Sequence, residues 1–166
     1  MKATLKLGYA LSVAACLTCA QVFAEDAATE IRQVLMDGCK AGERRDVAGM
    51  IAPFVAGDVT VFDFEKPRSK NYEQLRHGYE QFVATMSGQP SCRYLEIDPV
   101  ILGEDSAYSL AIMQAGGESK DGKKFSFVIR STDVWRKIDG KWKVVHEHNS
   151  FPVDMATGVA DMQSAP

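Results

Sequence analysis

An α+β fold is predicted by three features of this 166-residue sequence: helical apolar periodicity in the first half, β-rich runs through the second, and short turn signals between those runs. Helices followed by a long antiparallel meander place about three helices over one face of a curved sheet.

The chain opens with MKATLKLGYALSVAACLTCAQVFA, in which Lys2 and Lys6 flank the start of an apolar run over 7–20, and Val22-Phe23-Ala24 precedes Glu25-Asp26. This is the pattern of a secretory signal cleaved after Ala24, because the run is shorter than the roughly 20 residues that span a bilayer. Residues 1–24 are therefore read as a cleaved signal peptide, 25–154 as one domain, and 155–166 as a flexible tail without periodicity. Val13-Ala14-Ala15-Cys16 also resembles a lipoprotein signal, but lipidation at Cys16 would leave a very short apolar segment, so ordinary cleavage is preferred. The expected location is periplasmic or secreted, with no stable membrane insertion after cleavage.

Removing two lysines and no acid takes the formal charge from −3 to −5. No basic cluster remains to track phosphates, so nucleic acid is not an expected partner. Cys16 and Cys19 leave with the signal, and Cys39 and Cys92 remain in an oxidising compartment, either bridged or as two buried thiols.

Within the domain, Ile31, Val34, Leu35 and Cys39 recur at helical spacing and predict a first helix over 27–40. Asp46 can cap a short second helix, Val47–Ile51, limited by Pro53. The run DVTVFDF is a strand ending at Asp63. Tyr72, Leu75, Tyr79, Phe82, Val83 and Met86 mark one face of a third helix that stops near Gly88 and Pro90, with His77 on the solvent side. Strands over 93–102, 106–115, 124–137 and 141–153 follow, the last two joined at Asp139-Gly140.

That turn decides which residues line a pocket. On the strand before it, Phe125, Phe127, Ile129, Ser131, Asp133 and Trp135 share a face that is apolar until Ser131 and Asp133. A two-residue loop would set Asp133 opposite His146 and Ser131 opposite His148. A three-residue loop with a bulge at Gly140 would instead put Asp133 on one face with Val145, Glu147 and Asn149, and send His146 and His148 to the other face with Arg130. Asp-Gly suits both.

The stretches VTVFDF and RSTDVWRKIDGKWKVVHEHNSFPVD resemble the nuclear transport factor 2-like superfamily, in its SnoaL-like branch. The second is also similar to the association domain of calcium/calmodulin-dependent kinases, where a Trp-x-x-x-Asp-Gly-x-Trp hairpin precedes a His-x-His strand. The resemblance implies a cone-shaped barrel enclosing a pocket and homodimers formed through the outer sheet face. Ketosteroid isomerases are similar in fold. Their catalytic base matches Asp63 in TVFD, and their protonated, hydrogen-bond-donating aspartate matches Asp133 in DVWR. Their oxyanion-hole tyrosine falls near Gly38, so steroid isomerisation is not implied. The kinase domains have pocket residues at the positions of Asp133 and Asn149, which share a face in the three-residue register. The resemblance thus favours that turn, with the histidines outward.

Asp63 and Asp133 are accordingly the candidate catalytic pair, one ionised as base and one neutral as donor. Met113, Ser131, Trp135, Glu147 and Asn149 are candidate pocket residues, with Arg130, His146 and His148 a second tier if the hairpin takes the other register. His146 and His148 have no third ligand at suitable spacing, so no metal is expected. No glycine-rich phosphate loop, nucleophile elbow or mature CxxC pair is present, so no cofactor is expected. The preferred reading is an exported domain that binds a small, partly apolar molecule. The alternatives are a cofactor-independent isomerase, cyclase or hydratase, and a structural oligomerisation module.

Overall fold

The computed structural model describes residues 7–64, 68–69 and 71–166, with side chains from Val22 onward. Lys2 and Lys6 lie outside the described residues, as do the side chains of Cys16 and Cys19. The elements run α1 (Leu7–Glu43), α2 (Val47–Ile51), β1 (Thr60–Phe62), α3 (Tyr72–Thr85), β2 (Met86–Gly103), β3 (Ser106–Ser119), β4 (Lys124–Ile138) and β5 (Lys141–Ser150). They form an α+β structure in which helices pack on a five-stranded sheet of order β1-β5-β4-β3-β2, with β1 parallel to β5 and the other pairs antiparallel.

Helix α1 begins well before the predicted start at 27, but its packed part matches the periodicity. Val22 is 61% exposed, whereas Ala27, Ala28, Ile31 and Leu35 are buried. No described helix is long and apolar enough to cross a membrane. Asp46 caps α2 by accepting from the Gly49 amide at 3.1 Å. Asn71 caps α3 in the same way, accepting from Gln74 at 2.9 Å. Ile31, Leu35, Phe54, Val61, Leu75, Trp135, Trp142 and Val144 meet in the core between the helices and the sheet.

Two strands are longer than periodicity suggested. Helix α3 ends at Thr85, and β2 starts at once, with Met86 opposite Ser119. Pro90 is tolerated there because it falls within the register shift between Ser87 and Ser91, where the ladder is interrupted. Opposite it, β3 continues through Gly116 and Gly117. A Cβ at Gly116 would come within 3.0 Å of the Phe125 carbonyl oxygen, so the missing side chains admit a close backbone approach.

The tail, expected to be free, is tied to β4. The Val128 amide donates to the Met162 carbonyl at 2.9 Å, and the Gln163 side chain donates to the Ser126 carbonyl at 2.7 Å. These bonds occupy the part of the β4 edge beyond the reach of β5, whose pairing stops at Arg130.

Cys39 on α1 and Cys92 on β2 form a disulfide, with Cα atoms 5.5 Å apart. Closing a loop of 53 residues restricts the unfolded chain enough to contribute about 4 kcal/mol. The double substitution Cys39→Ser/Cys92→Ser is expected to lower unfolding free energy in urea by about that amount. Reductant should reproduce the loss in the unmodified protein.

Candidate functional site

The hairpin turn differs from the preferred expectation. Asp139 and Gly140 form a two-residue loop with φ 49° and 75°, and Ile138 pairs directly with Lys141. Both positive angles suit the tight hairpin turn that matches strand twist, and Asp followed by Gly supplies them at little strain. The predicted bulge exists, but it lies further along. Trp135 faces Val144 whereas Val134 faces His146, so Val145 is the extra residue.

One extra residue reverses the alternation. Trp142 and Val144 point inward before the bulge; Glu147 and Asn149 line the cavity after it, and His146 and His148 turn to the outer face. There Thr60 bonds the His146 Nδ1 at 2.7 Å, and Phe62 meets both imidazoles edge-on. Arg130 lies on the same outer face and is exposed.

The helices and the inner sheet face enclose a cavity of about 560 Å³. Its walls divide by chemistry. Phe64, Phe82, Phe125 and Phe127 form an aromatic side, with the Phe125 and Phe127 rings stacked at 6.0 Å and 13°. Met113 and the Cys39–Cys92 bridge continue the apolar wall, Met113 Sδ lying 3.6 Å from Cys92 Sγ. Glu147, Asn149, Ser131, Tyr79, Tyr94 and Asp63 supply the polar groups.

Asp133 is not on the cavity surface. It is 1% exposed and sits opposite Glu147 in the β4–β5 ladder. Its Oδ2 accepts from Ser109 at 2.8 Å, and the Ser109 oxygen accepts from Trp135 Nε1 at 2.9 Å. Trp135, expected to line the pocket, is instead fully buried in the core and anchors this chain of bonds. Its indole fills core volume, and the adjacent hydroxyl satisfies its N–H.

The Oδ1 of Asp133 meets no N–H or hydroxyl donor, and Glu147 is its partner in the ladder, so the two buried acids are placed to retain a proton between them. Burial pushes Asp133 up to about 6, against the stabilising bonds from Ser109 and Glu147. Burial and then the Asp133 charge push Glu147 up to about 8, against a 2.7 Å bond from Asn149 Nδ2. Glu147 is half-buried by area because one side opens into the cavity, while protein encloses the rest.

Two tyrosines belong to this cluster. Burial and then the charges of Glu147 and Asp63 hold the Tyr79 phenol protonated. Burial, Asp133 and Glu147 do the same for Tyr94. The sequence marked Tyr79 only as part of the α3 apolar stripe, and nothing in it singled out Tyr94. Asp63 lines the same cavity but is exposed, its Oδ1 accepting from the Phe64 amide at 2.8 Å. The two acids expected to face one cavity are thus placed differently: Asp63 reaches it, and Asp133 acts behind Glu147.

The SnoaL-like domain family matches residues 31–154. Among solved structures, a nuclear transport factor 2-like protein of unknown function from Pseudomonas putida KT2440 is similar, with 28% identity and a TM-score of 0.75 over 86% of this chain and 99% of that one. A putative calcium/calmodulin-dependent protein kinase II association domain from Xanthomonas campestris shares the fold at 22% identity and a TM-score of 0.63, covering 73% and 84% of the two chains. A putative scytalone dehydratase from Novosphingobium aromaticivorans DSM 12444 does so at 16% identity and a TM-score of 0.67, covering 73% and 80%. No curated protein matches the sequence.

Because both carboxyls titrate above their ordinary values when folded, the native state holds more protons than the unfolded chain, and stability falls as pH rises from about 4 to about 8. Glu147→Gln is expected to flatten that fall, measured as the urea midpoint between about pH 5 and about pH 8. Parallel midpoint curves for the two proteins would show that Glu147 does not hold the proton.

Proposed function

Since the chain belongs to the SnoaL-like domain family, we propose that it is an exported domain binding a small, partly apolar molecule in the cavity between its helices and sheet. The observation that carries this reading is the division of the cavity: an aromatic wall for the body of a ligand, and Glu147, Tyr79 and Tyr94 at a polar end for its head. Its volume of about 560 Å³ suits a ligand of ordinary metabolite size.

A second reading, cofactor-independent proton transfer in an isomerisation or dehydration, is favoured by the placement of Asp63 and Glu147 on one cavity. Asp63 would take a proton, and the protonated Glu147 would donate a hydrogen bond to the developing oxyanion. Asp133, sealed behind Glu147, would be a positioning residue that keeps Glu147 protonated. This moves the donor role from Asp133 to the carboxyl that a ligand can touch.

A thermal-shift screen of apolar molecules bearing one polar group is expected to yield compounds that raise Tm, with Phe127→Ala removing the rise. The compounds that bind are then assayed for isomerised or dehydrated product. Turnover that Asp63→Asn abolishes without weakening binding would favour the catalytic reading, and no stabilisation by any compound would count against both.

Export and pairing complete the proposal. Among the described side chains, the buried face of α1 starts at Ala27, just beyond the signal-like segment. Phe62, Leu110 and Val134 are 42%, 48% and 38% exposed on the outer sheet face and offer an apolar surface to a second copy. Native mass spectrometry of protein exported by a bacterial host is expected to show a dimer of chains beginning at Glu25. A chain retaining Met1, or a monomer, would remove the corresponding part.

A further inference from the structure

Resting on the binding reading above, we propose that the Cys39–Cys92 bridge is a redox gate on the cavity. Oxidised, it closes the wall between the cavity and a groove on the outside of the protein; reduced by a dithiol, it opens that wall and lets the ligand leave. Cys39 and Cys92 line the cavity on one side and an outer groove of about 430 Å³ on the other. Among the described residues only Tyr94 shares this position with them, so the bridge and Tyr94 form the partition.

Little else holds the wall shut there. The described residues of α1 that line the cavity are Leu35, Gly38, Cys39 and Gly42, so beyond Leu35 the side chain that α1 presents is that of Cys39. The apolar contacts of α1 through Ile31 and Leu35 belong to the core on the N-terminal side of the bridge. The side-chain hydrogen bonds that join α1 to β2 among the described residues are two long ones, from Arg32 Nε to the Ile97 carbonyl and from the Cys92 amide to Glu43, each 3.4 Å. Strand β2 is also compliant at this point. It is the edge strand, and its ladder shifts register between Ser87 and Ser91 and again between Tyr94 and Glu96, on either side of Cys92. Two thiols, no longer bonded at about 2 Å, move apart to van der Waals contact, and the flanking glycines offer no side chain to fill the gap.

The chemistry is thiol–disulfide exchange. Cys39 is 9% exposed, whereas Cys92 is half-buried on the groove, where Arg32, Lys40 and Arg93 outnumber Glu96 and favour an approaching thiolate. That thiolate bonds Cys92 Sγ as the bridge breaks and Cys39 leaves as a thiolate. The second thiol of the reagent then displaces Cys92 and closes the reagent to its own disulfide, so two electrons and two protons pass to the cysteines. The wall is closed in an oxidising compartment and open in a reducing one, which confines ligand capture to the exported protein. By linkage, a bound ligand holds the bridge oxidised to the same degree.

Isothermal titration calorimetry with 1-naphthylmethanol and 4-phenyl-1-butanol tests the gate on oxidised protein and on protein reduced by dithiothreitol. Thiol counting shows the bridge open, and far-UV circular dichroism shows the fold kept. Reduction is expected to weaken binding about tenfold or more, through a faster off-rate. With saturating probe, the midpoint potential of the bridge should fall by about 30 mV for each tenfold. Cys39→Ser/Cys92→Ser should bind as the reduced protein does, with no further effect of reductant. If either form unfolds, trimethylamine N-oxide keeps it compact for the same titration. Equal or tighter binding by the reduced, folded protein overturns the gate and leaves the binding reading standing. Failure of both probes to bind the oxidised protein overturns both.

Discussion

The position of the extra residue at Val145 governs the interior of this protein. The constraint behind it is a backbone one. The Val144 amide donates to the Pro53 carbonyl and the Val144 carbonyl accepts from Val55, each at 2.9 Å, while Val144 still faces Trp135 in the ladder. On the same edge, two residues later, β5 must pair with β1 from His146 to His148. A bulge between these two attachments lets β5 serve the exit of α2 and then β1 without losing its place beside β4.

Everything at the polar end of the cavity follows from that shift. With uninterrupted alternation from Trp142, the two imidazoles would point inward and Glu147 outward. The bulge brings a carboxyl opposite Asp133 instead, creating a buried acid pair that is unfavourable unless it shares a proton. Ser109 and Trp135 hold one side of the pair, and Asn149 holds the other. The site is thus continuous with the core: the indole that fills the centre of the fold also sets the first bond of the chain ending at the cavity wall.

Much of this was legible beforehand, because it rested on local spacing. The packed part of α1, the Asp46 cap, the strand leading to Asp63 and the alternating inner face of β4 follow from periodicities of single elements. Cys39 and Cys92 were recognisable as the two cysteines outside the signal-like segment, although only their 5.5 Å Cα separation brings them together. The Gly-rich end of β3 and Pro90 in β2 read as loop because each weakens a strand locally; cross-strand pairing overrides that preference. Tyr79 and Tyr94 could not be assembled into a site, since they come from α3 and β2 and meet only across the enclosed space.

The sequence by itself determined the α+β class, the helix-then-meander order and the inward row from Phe125 through Asp133, because amphipathic spacing is written in neighbouring residues. Tertiary structure decided which face of β5 joins that row, whether Asp133 meets a histidine or Glu147, and that Trp135 belongs to the core. A single inserted residue inverts the alternation of a strand, and its position depended on hydrogen bonds to Pro53 and Val55, some ninety residues away in the chain.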